Sequence, residues 1–322
     1  MSELIDLERV APDQREAIAA FREAGGKSFQ DAESMEVARE NYEKSCAANG
    51  LPRDPIAHVE DVVIGEGDER FTVRVYDNRA DRDADDPVIM FFHGGGWVIG
   101  SLETHDPVCR RLATLTGLPV VAVDYRLGPE FHFPAAHLDC KRAVEWVRDQ
   151  AEAGQWNPLR IATIGDSAGG GLANVLAYQP NMLVPGTKVT AQVLLYPVLD
   201  MANESAGYER IQEGFPLTAN SMRWFGENFL ANKADASDPR LSPLANVKEG
   251  EAPQPPAWIL SLGLDPLGDE DIEYARRLAL NGTYVELVHL PNHAHGLFTS
   301  AGKIKSGELM LVRAARFILE QA

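Results

Sequence analysis

"RIATIGDSAGGGLANVL", residues 160–176, decides how this chain is read. The first part is β-branched and apolar, suited to a buried strand, and the part from Ala168 onward has the apolar content of a buried helix. Between them stand Gly165, Asp166, Ser167, Ala168 and Gly169, a G-x-S-x-G pentapeptide in the strand–turn–helix setting the motif requires. A turn this sharp pushes its central residue toward strained backbone angles, and the residues two positions away must lack a Cβ. The Ser167 hydroxyl is then held at the tip, with the N-terminus of the following helix supplying partial positive charge behind it. This setting favours a nucleophilic serine over an incidental one in a glycine-rich turn.

A serine that attacks a carbonyl creates an oxyanion, which needs preorganised donors worth roughly 3 kcal/mol of barrier each. One donor is the amide after the nucleophile, Ala168. "VIMFFHGGGWVIG", residues 88–100, supplies the others: an apolar strand ends at His93 and three glycines follow. Glycine lets such a loop aim its N–H groups inward and lets substrate approach with no Cβ in the way. Gly95 and Gly96 are the expected donors. Other glycine chemistries fail on spacing. No G-x-x-x-x-G-K-[ST] exists here, and a dinucleotide fingerprint begun at Gly94 would need glycine where Ile99 stands. His93 reads as a loop anchor.

A serine also needs a base, and the base an orienting carboxylate, in the chain order Ser, acid, His. Asp265 leaves the strand-like "AWILSLGL", whereas Asp269 and Asp271 read as the acidic first turn of the next helix. After "YVELVHL" comes "PNHAHGLF". His289 lies inside that strand pattern, and His293 and His295 fall on the expected loop. His295, followed by Gly296, is the expected base. No acid or cysteine stands at metal-ligand spacing with these histidines, so neither metal nor cofactor is expected. Trp97, Asp166, Trp224 and Phe225 are the expected substrate contacts, with Phe21 a further candidate; packing is the competing role for Trp97.

Outward from these motifs, strand-like and helix-like segments alternate. Strand candidates are Val88–Phe92, Pro119–Asp124, Arg160–Gly165, Val189–Tyr196, Ala257–Leu262 and Tyr284–Leu290, preceded by a hairpin over "HVEDVVIGEG" and "RFTVRVYD". Such alternation predicts a mostly parallel sheet covered by helices. Two parts are left over. Met35, Ala38, Tyr42 and Cys46 recur at helical spacing within residues 1–50, and "TANSMRWFGENFL" is helical within 201–250. These predict a helical cap of residues 1–50 and 201–250 over an α/β core of 51–200 and 251–322, above the strands' carboxyl ends, where ligands of such sheets sit.

The bulk numbers agree with this. The chain has 322 residues, 45% of them hydrophobic, and a formal net charge of −18. Such a surface repels nucleic acid and anionic lipid, which excludes both as partners. Cys46, Cys109 and Cys140 form no disulfide framework, the first ten residues lack a signal-peptide core, and no apolar run reaches ~18 residues. The expected location is the cytoplasm, with no membrane contact.

Taken together, "FFHGGGWVIGS", "VVAVDYRLGPE", "FPAA", "IGDSAGGGLA", "LLYPVLD", "DPRLSPL", "DPLGDE" and "HAHGLF" resemble, block by block and in order, the bacterial hormone-sensitive-lipase-like esterases of the α/β-hydrolase superfamily. The resemblance covers the chain from about residue 60 and implies a mostly parallel eight-stranded sheet flanked by helices, with a helical cap. It implies Ser167, Asp265 and His295 as triad and Gly95, Gly96 and Ala168 as oxyanion hole, the residues already reached by spacing. It further implies a serine carboxylesterase acting on small-molecule esters of short to medium acyl chains, often as a homodimer. An amidase or peptidase uses the same triad. A small-ligand receptor of this fold, as in the plant gibberellin receptors, has lost the histidine that here stands at 295. Three positions depart from the family pattern: Gly128 for alanine, Gly171 for asparagine and Gly268 for arginine.

Overall fold

The computed structural model describes residues 4–79, 86–152, 160–179 and 181–322. Residues 1–3 of the expected cap, and 80–85, 153–159 and 180 of the expected core, lie outside them. Eight strands form one sheet: β1 His58–Ile64, β2 Phe71–Asp77, β3 Val88–Phe92, β4 Val120–Asp124, β5 Arg160–Asp166, β6 Lys188–Leu195, β7 Ala257–Leu264 and β8 Val285–Ala294. Their order is β1-β2-β4-β3-β5-β6-β7-β8. The β1–β2 and β2–β4 pairings are antiparallel and the rest parallel. The helices are α1 Pro12–Glu23, α2 Met35–Asn49, α3 Leu102–Thr116, α4 Ala135–Glu152, α5 Ala168–Tyr178, α6 Ala206–Arg210, α7 Ala219–Phe229, α8 Pro243–Asn246, α9 Gly268–Leu280 and α10 Lys305–Gln321.

The central strands are apolar throughout because both faces are covered. Every residue of β3 is buried. Side chains alternate between faces at a period of two. Met90, Phe92, Val121 and Val123 enter one core with Val144 and Val147 of α4, Leu172 and Leu176 of α5 and Leu278 of α9. Ile89, Phe91, Val120 and Ala122 enter the other with Leu112 of α3 and Leu311, Ala315 and Ile318 of α10. Helices thus cover both faces, as alternating strand and helix patterns require.

The position of the site follows from topology. β3 pairs with β4 on one side and β5 on the other, so the strand order reverses there and a crevice opens beyond the carboxyl ends. Phe92 is in register with Gly165. The triple-glycine loop and the serine turn therefore leave the sheet side by side.

One finding alters the expected layout. β8 continues four residues beyond Leu290, because Leu264 pairs with Ala294 after a register irregularity. His293 is consequently a strand residue rather than a loop residue. In addition, α1 packs with the segment between β6 and α7: Val10, Ile18, Ile211 and Phe215 share a small core with Leu264 and Ala294 at the ends of β7 and β8. Among the described residues, no strand lies between β6 and β7.

Candidate active site

Ser167 has φ 56° and ψ −121°, a region closed to most L-residues. The strain is held from both sides. Its amide donates to the Leu195 carbonyl (2.8 Å), and its own carbonyl accepts from Val198 (3.0 Å) and Gly171 (3.2 Å). The flanking glycines are a steric necessity: a Cβ on Gly165 would strike the Gly169 carbonyl oxygen, and one on Gly169 that of Phe92. The Ser167 side chain faces a cavity and takes no hydrogen bond among the described residues.

The glycine loop is anchored by several of its polar groups, the amides of interest not among them. Val98 and Ile99 donate to the Gly95 carbonyl, and the Gly94 amide donates to Asp166 Oδ1 (2.9 Å). Tyr125 Oη donates to the His93 carbonyl (2.6 Å) and its ring stacks on His93 at 4.2 Å. His93 Nδ1 in turn lies 2.8 Å from the Gly94 carbonyl oxygen. Burial, with His105 nearby, pushes His93 down to about 4, so its ring is neutral near pH 7 and serves as an anchor. The amides of Gly95, Gly96 and Ala168 have no hydrogen-bond partner among the described residues. Gly95 and Gly96 sit at φ 122° and 59°, where a side chain would be strained.

Asp166 lines the cavity, but its carboxylate is committed beneath the loop. Besides holding Gly94, Oδ1 stands 3.1 Å from His105 Nε2, close enough for an ion pair though off the line of a hydrogen bond. Burial pushes the carboxyl up, yet the neighbouring His105 imidazole outweighs it and leaves Asp166 below the ordinary carboxylate range. Nothing in the sequence pattern pointed to His105, since only the packing of α3 brings it under the loop. Trp97 is a correction to the expected contacts. It is buried, stacks on Phe229 at 4.8 Å, and does not line the cavity. Trp224 likewise stands edge-on to Phe225 at 5.1 Å, outside the lining.

Of the candidate acids and histidines, Asp265 and His295 meet. Asp265 is fully buried, and its Oδ2 lies 2.5 Å from His295 Nδ1 while Oδ1 accepts from the Leu267 amide. The other members of each cluster are occupied elsewhere. Asp269 pairs with Arg210 at the start of α9, and Asp271 is buried there. His289 Nδ1 lies 3.1 Å from Ser261 Oγ, and His293 Nε2 lies 3.2 Å from Asp13. Tyr196, at φ 39° after β6, sets its ring edge-on to His295 at 4.6 Å and accepts from the Phe298 amide.

Ser167 and His295 open into one cavity of about 570 Å³, within the range of small-molecule sites. Its floor includes Gly95, Gly96, Asp166 and Gly296, and α1, α2 and α7 contribute Phe21, Tyr42 and Phe225 to the opposite wall. Phe29, between α1 and α2, is a lining residue the sequence reading missed; its ring lies 5.3 Å from that of Phe225.

Comparison with known proteins places this geometry in a family. A family model described as the alpha/beta hydrolase fold matches residues 89–299. The ethyl acetate hydrolase of Pseudomonas putida is 35% identical over 92% of this chain and 93% of its own length. The carboxylesterase NlhH of Mycobacterium tuberculosis is 36% identical over 84% of each chain. Among solved structures, an ester hydrolase from the metagenome of Lake Arreo superposes with a TM-score of 0.88 at 32% identity, covering 97% of this chain and 98% of the other. An esterase of Pyrobaculum calidifontis gives 0.83 at 34% identity, with the same coverage. The chain belongs to the hormone-sensitive-lipase-like esterases of the α/β-hydrolase superfamily.

Proposed function

We propose that Ser167 is the nucleophile, His295 its general base, Asp265 the carboxylate that orients the imidazole, and Gly95, Gly96 and Ala168 the oxyanion donors of a serine carboxylesterase. The observation that carries this reading is the 2.5 Å contact of Asp265 with His295, which opens into the cavity that Ser167, Gly95 and Gly96 also line. His295 Nε2 takes the Ser167 proton as Oγ bonds to the ester carbon. The carbonyl π pair moves onto oxygen, where the three amides stabilise it. On collapse the C–O bond to the alcohol breaks and His295 returns the proton to the departing oxygen. Water then repeats the sequence on the acyl-enzyme, releasing acid and free Ser167. Protein groups and water carry every proton and electron pair, so these steps call for no cofactor.

The enzyme is a carboxylic ester hydrolase, and its relatives do not favour the amidase or receptor alternatives. The substrates are small esters of short to medium acyl chains: the Pseudomonas putida relative is named for ethyl acetate, and the cavity is of matching scale. Residues 1–50 and 201–250 act as the cap over a core of 51–200 and 251–322, a division supported by their share of the cavity wall and of the small core around Ile18 and Phe215. Replacing Ser167 by Ala is expected to lower hydrolysis of p-nitrophenyl butyrate by about a thousandfold or more, and a loss under about a hundredfold would defeat the assignment.

The working form is a cytoplasmic homodimer. No helix among the described residues is long and apolar enough to cross a membrane, and the three cysteines are buried free thiols. β8 is an edge strand, and Tyr284, Leu287, Leu309 and Val312 leave an apolar surface exposed beside it. Light scattering at micromolar concentration should give twice the chain mass of 35.3 kDa; a monomer refutes the pairing.

A further inference from the structure

The cavity changes character from one side of Ser167 to the other. Toward α7 its inner wall is Phe21, Phe29, Leu217 and Phe225, with Lys27, Ser28 and Asp31 beside Phe29. Toward α2 and the segment after β8 it is Asn41, Ser45, Asn49, Thr299, Ser300 and Lys303. The first three recur at steps of four, which puts them on one face of α2. The polar wall continues inward from the mouth: Thr299 is only 6% exposed, and its hydroxyl lies 3.4 Å from the Gly296 carbonyl oxygen. Of the six side chains on this second wall, only Lys303 is charged; the others offer amide and hydroxyl donors and acceptors.

Reaction chemistry decides which half of an ester meets which wall. This step rests on the triad proposed above. The departing oxygen must take its proton from His295, so the alcohol lies on the imidazole side, and Gly296, Thr299, Ser300 and Lys303 continue from that residue. The carbonyl oxygen points at the oxyanion amides, and the acyl chain leaves the carbonyl carbon away from the departing oxygen, toward the end where the Phe225 ring lies directly on Gly96. We propose that the leaving group is a hydroxylated alcohol, a polyol or sugar, whose free hydroxyls hydrogen-bond along this polar wall while a short apolar acyl group occupies the aromatic end.

Glyceryl monobutyrate and propyl butyrate test this, because they share the acyl group and a three-carbon alcohol and differ in two hydroxyls. Each hydroxyl met by a neutral partner is worth roughly fivefold. The expected kcat/KM of the wild-type enzyme is therefore about tenfold or more higher for the glyceryl ester. That advantage is expected to shrink to about twofold in Asn41→Leu and in Ser300→Val. Melting curves establish that each variant is folded, and further variants at Ser45 and Thr299 replace any that is not. Equal or better turnover of the propyl ester by the wild type overturns the proposal, as does an advantage that survives the substitutions. Failure of the underlying esterase reading looks different: neither ester is then hydrolysed.

Discussion

The two parts that roof the cavity are held to the floor by different forces. The N-terminal part, α1 and α2, is attached by hydrogen bonds to the loops that carry the chemistry. Gln14 of α1, 2% exposed, donates to the Ala294 carbonyl (3.1 Å) and accepts from the Ala294 amide (2.7 Å), one residue before His295. Arg39 of α2 donates to the Val98 carbonyl (2.9 Å), just past the oxyanion glycines, and pairs with Glu130. The inserted part meets the glycine loop through rings, Phe225 lying on Gly96 and Phe229 stacking on Trp97, and its hydrogen bonds, such as Ser205 Oγ to the Pro266 carbonyl (3.1 Å), reach the core elsewhere. A hydrogen bond fixes a backbone to tenths of an ångström, whereas packed rings fix a volume. The first part therefore acts on how well His295 is placed, and the second on how much room the substrate has.

The largest effect should come from Gln14→Leu. The substitution keeps the shape of the buried side chain and removes both of its hydrogen bonds, which leaves the Ala294 amide and carbonyl unpaired at roughly 1–3 kcal/mol each. Because Ala294 is next to the proposed base, His295, the consequence is expected to reach catalysis: displacements of an ångström at a reacting group cost up to about a hundredfold. A fall in kcat of about thirtyfold is expected, with KM within about twofold. Gln14→Glu, which keeps the acceptor and loses the donor, should lie between. A kcat unaffected in a folded Gln14→Leu protein would break the comparison, because α1 would then be cover and nothing more.

The sequence carried the floor further than the roof, for a physical reason. Elbow and glycine loop are local solutions: a strained serine needs glycines on both sides of it, and bare amides need residues without side chains, so composition betrays them. The departures at Gly128, Gly171 and Gly268 follow the same logic. A Cβ at these positions would crowd the carbonyl oxygens of Asn228, Val198 and Leu262, so at Gly128 the end of α7 comes closer than an alanine allows. Roof contacts are long-range. Gln14 and Ala294 are 280 positions apart, and no periodicity marks either one. Trp97 misled for a related reason: its place beside the oxyanion glycines suggested a pocket wall, but at φ 60° the chain turns its ring into the core. The end of β8 was misjudged because Pro291 and Asn292 read as a loop, while pairing with β7 carries the strand on to Ala294.

The smaller effect should come from Phe225, and it separates the two halves of the roof most cleanly. The ring is 3% exposed, touches Phe29 and Trp224, and closes the apolar end of the cavity over Gly96. Shortening it opens space at the proposed acyl end, and each further methylene buried there is worth about 0.8 kcal/mol, or roughly fourfold. The ratio of kcat/KM for p-nitrophenyl octanoate over acetate is expected to rise about tenfold in Phe225→Ala and about threefold in Phe225→Leu. The leucine variant guards the measurement, since loss of a buried ring to alanine costs about 3–5 kcal/mol of stability. Gln14→Leu should leave this ratio where it is, because misplacing the base slows every ester alike. If Phe225→Ala instead lowers all chain lengths in proportion, the ring positions the oxyanion loop and does not measure the acyl group, and the inserted half joins the N-terminal half as part of the catalytic frame.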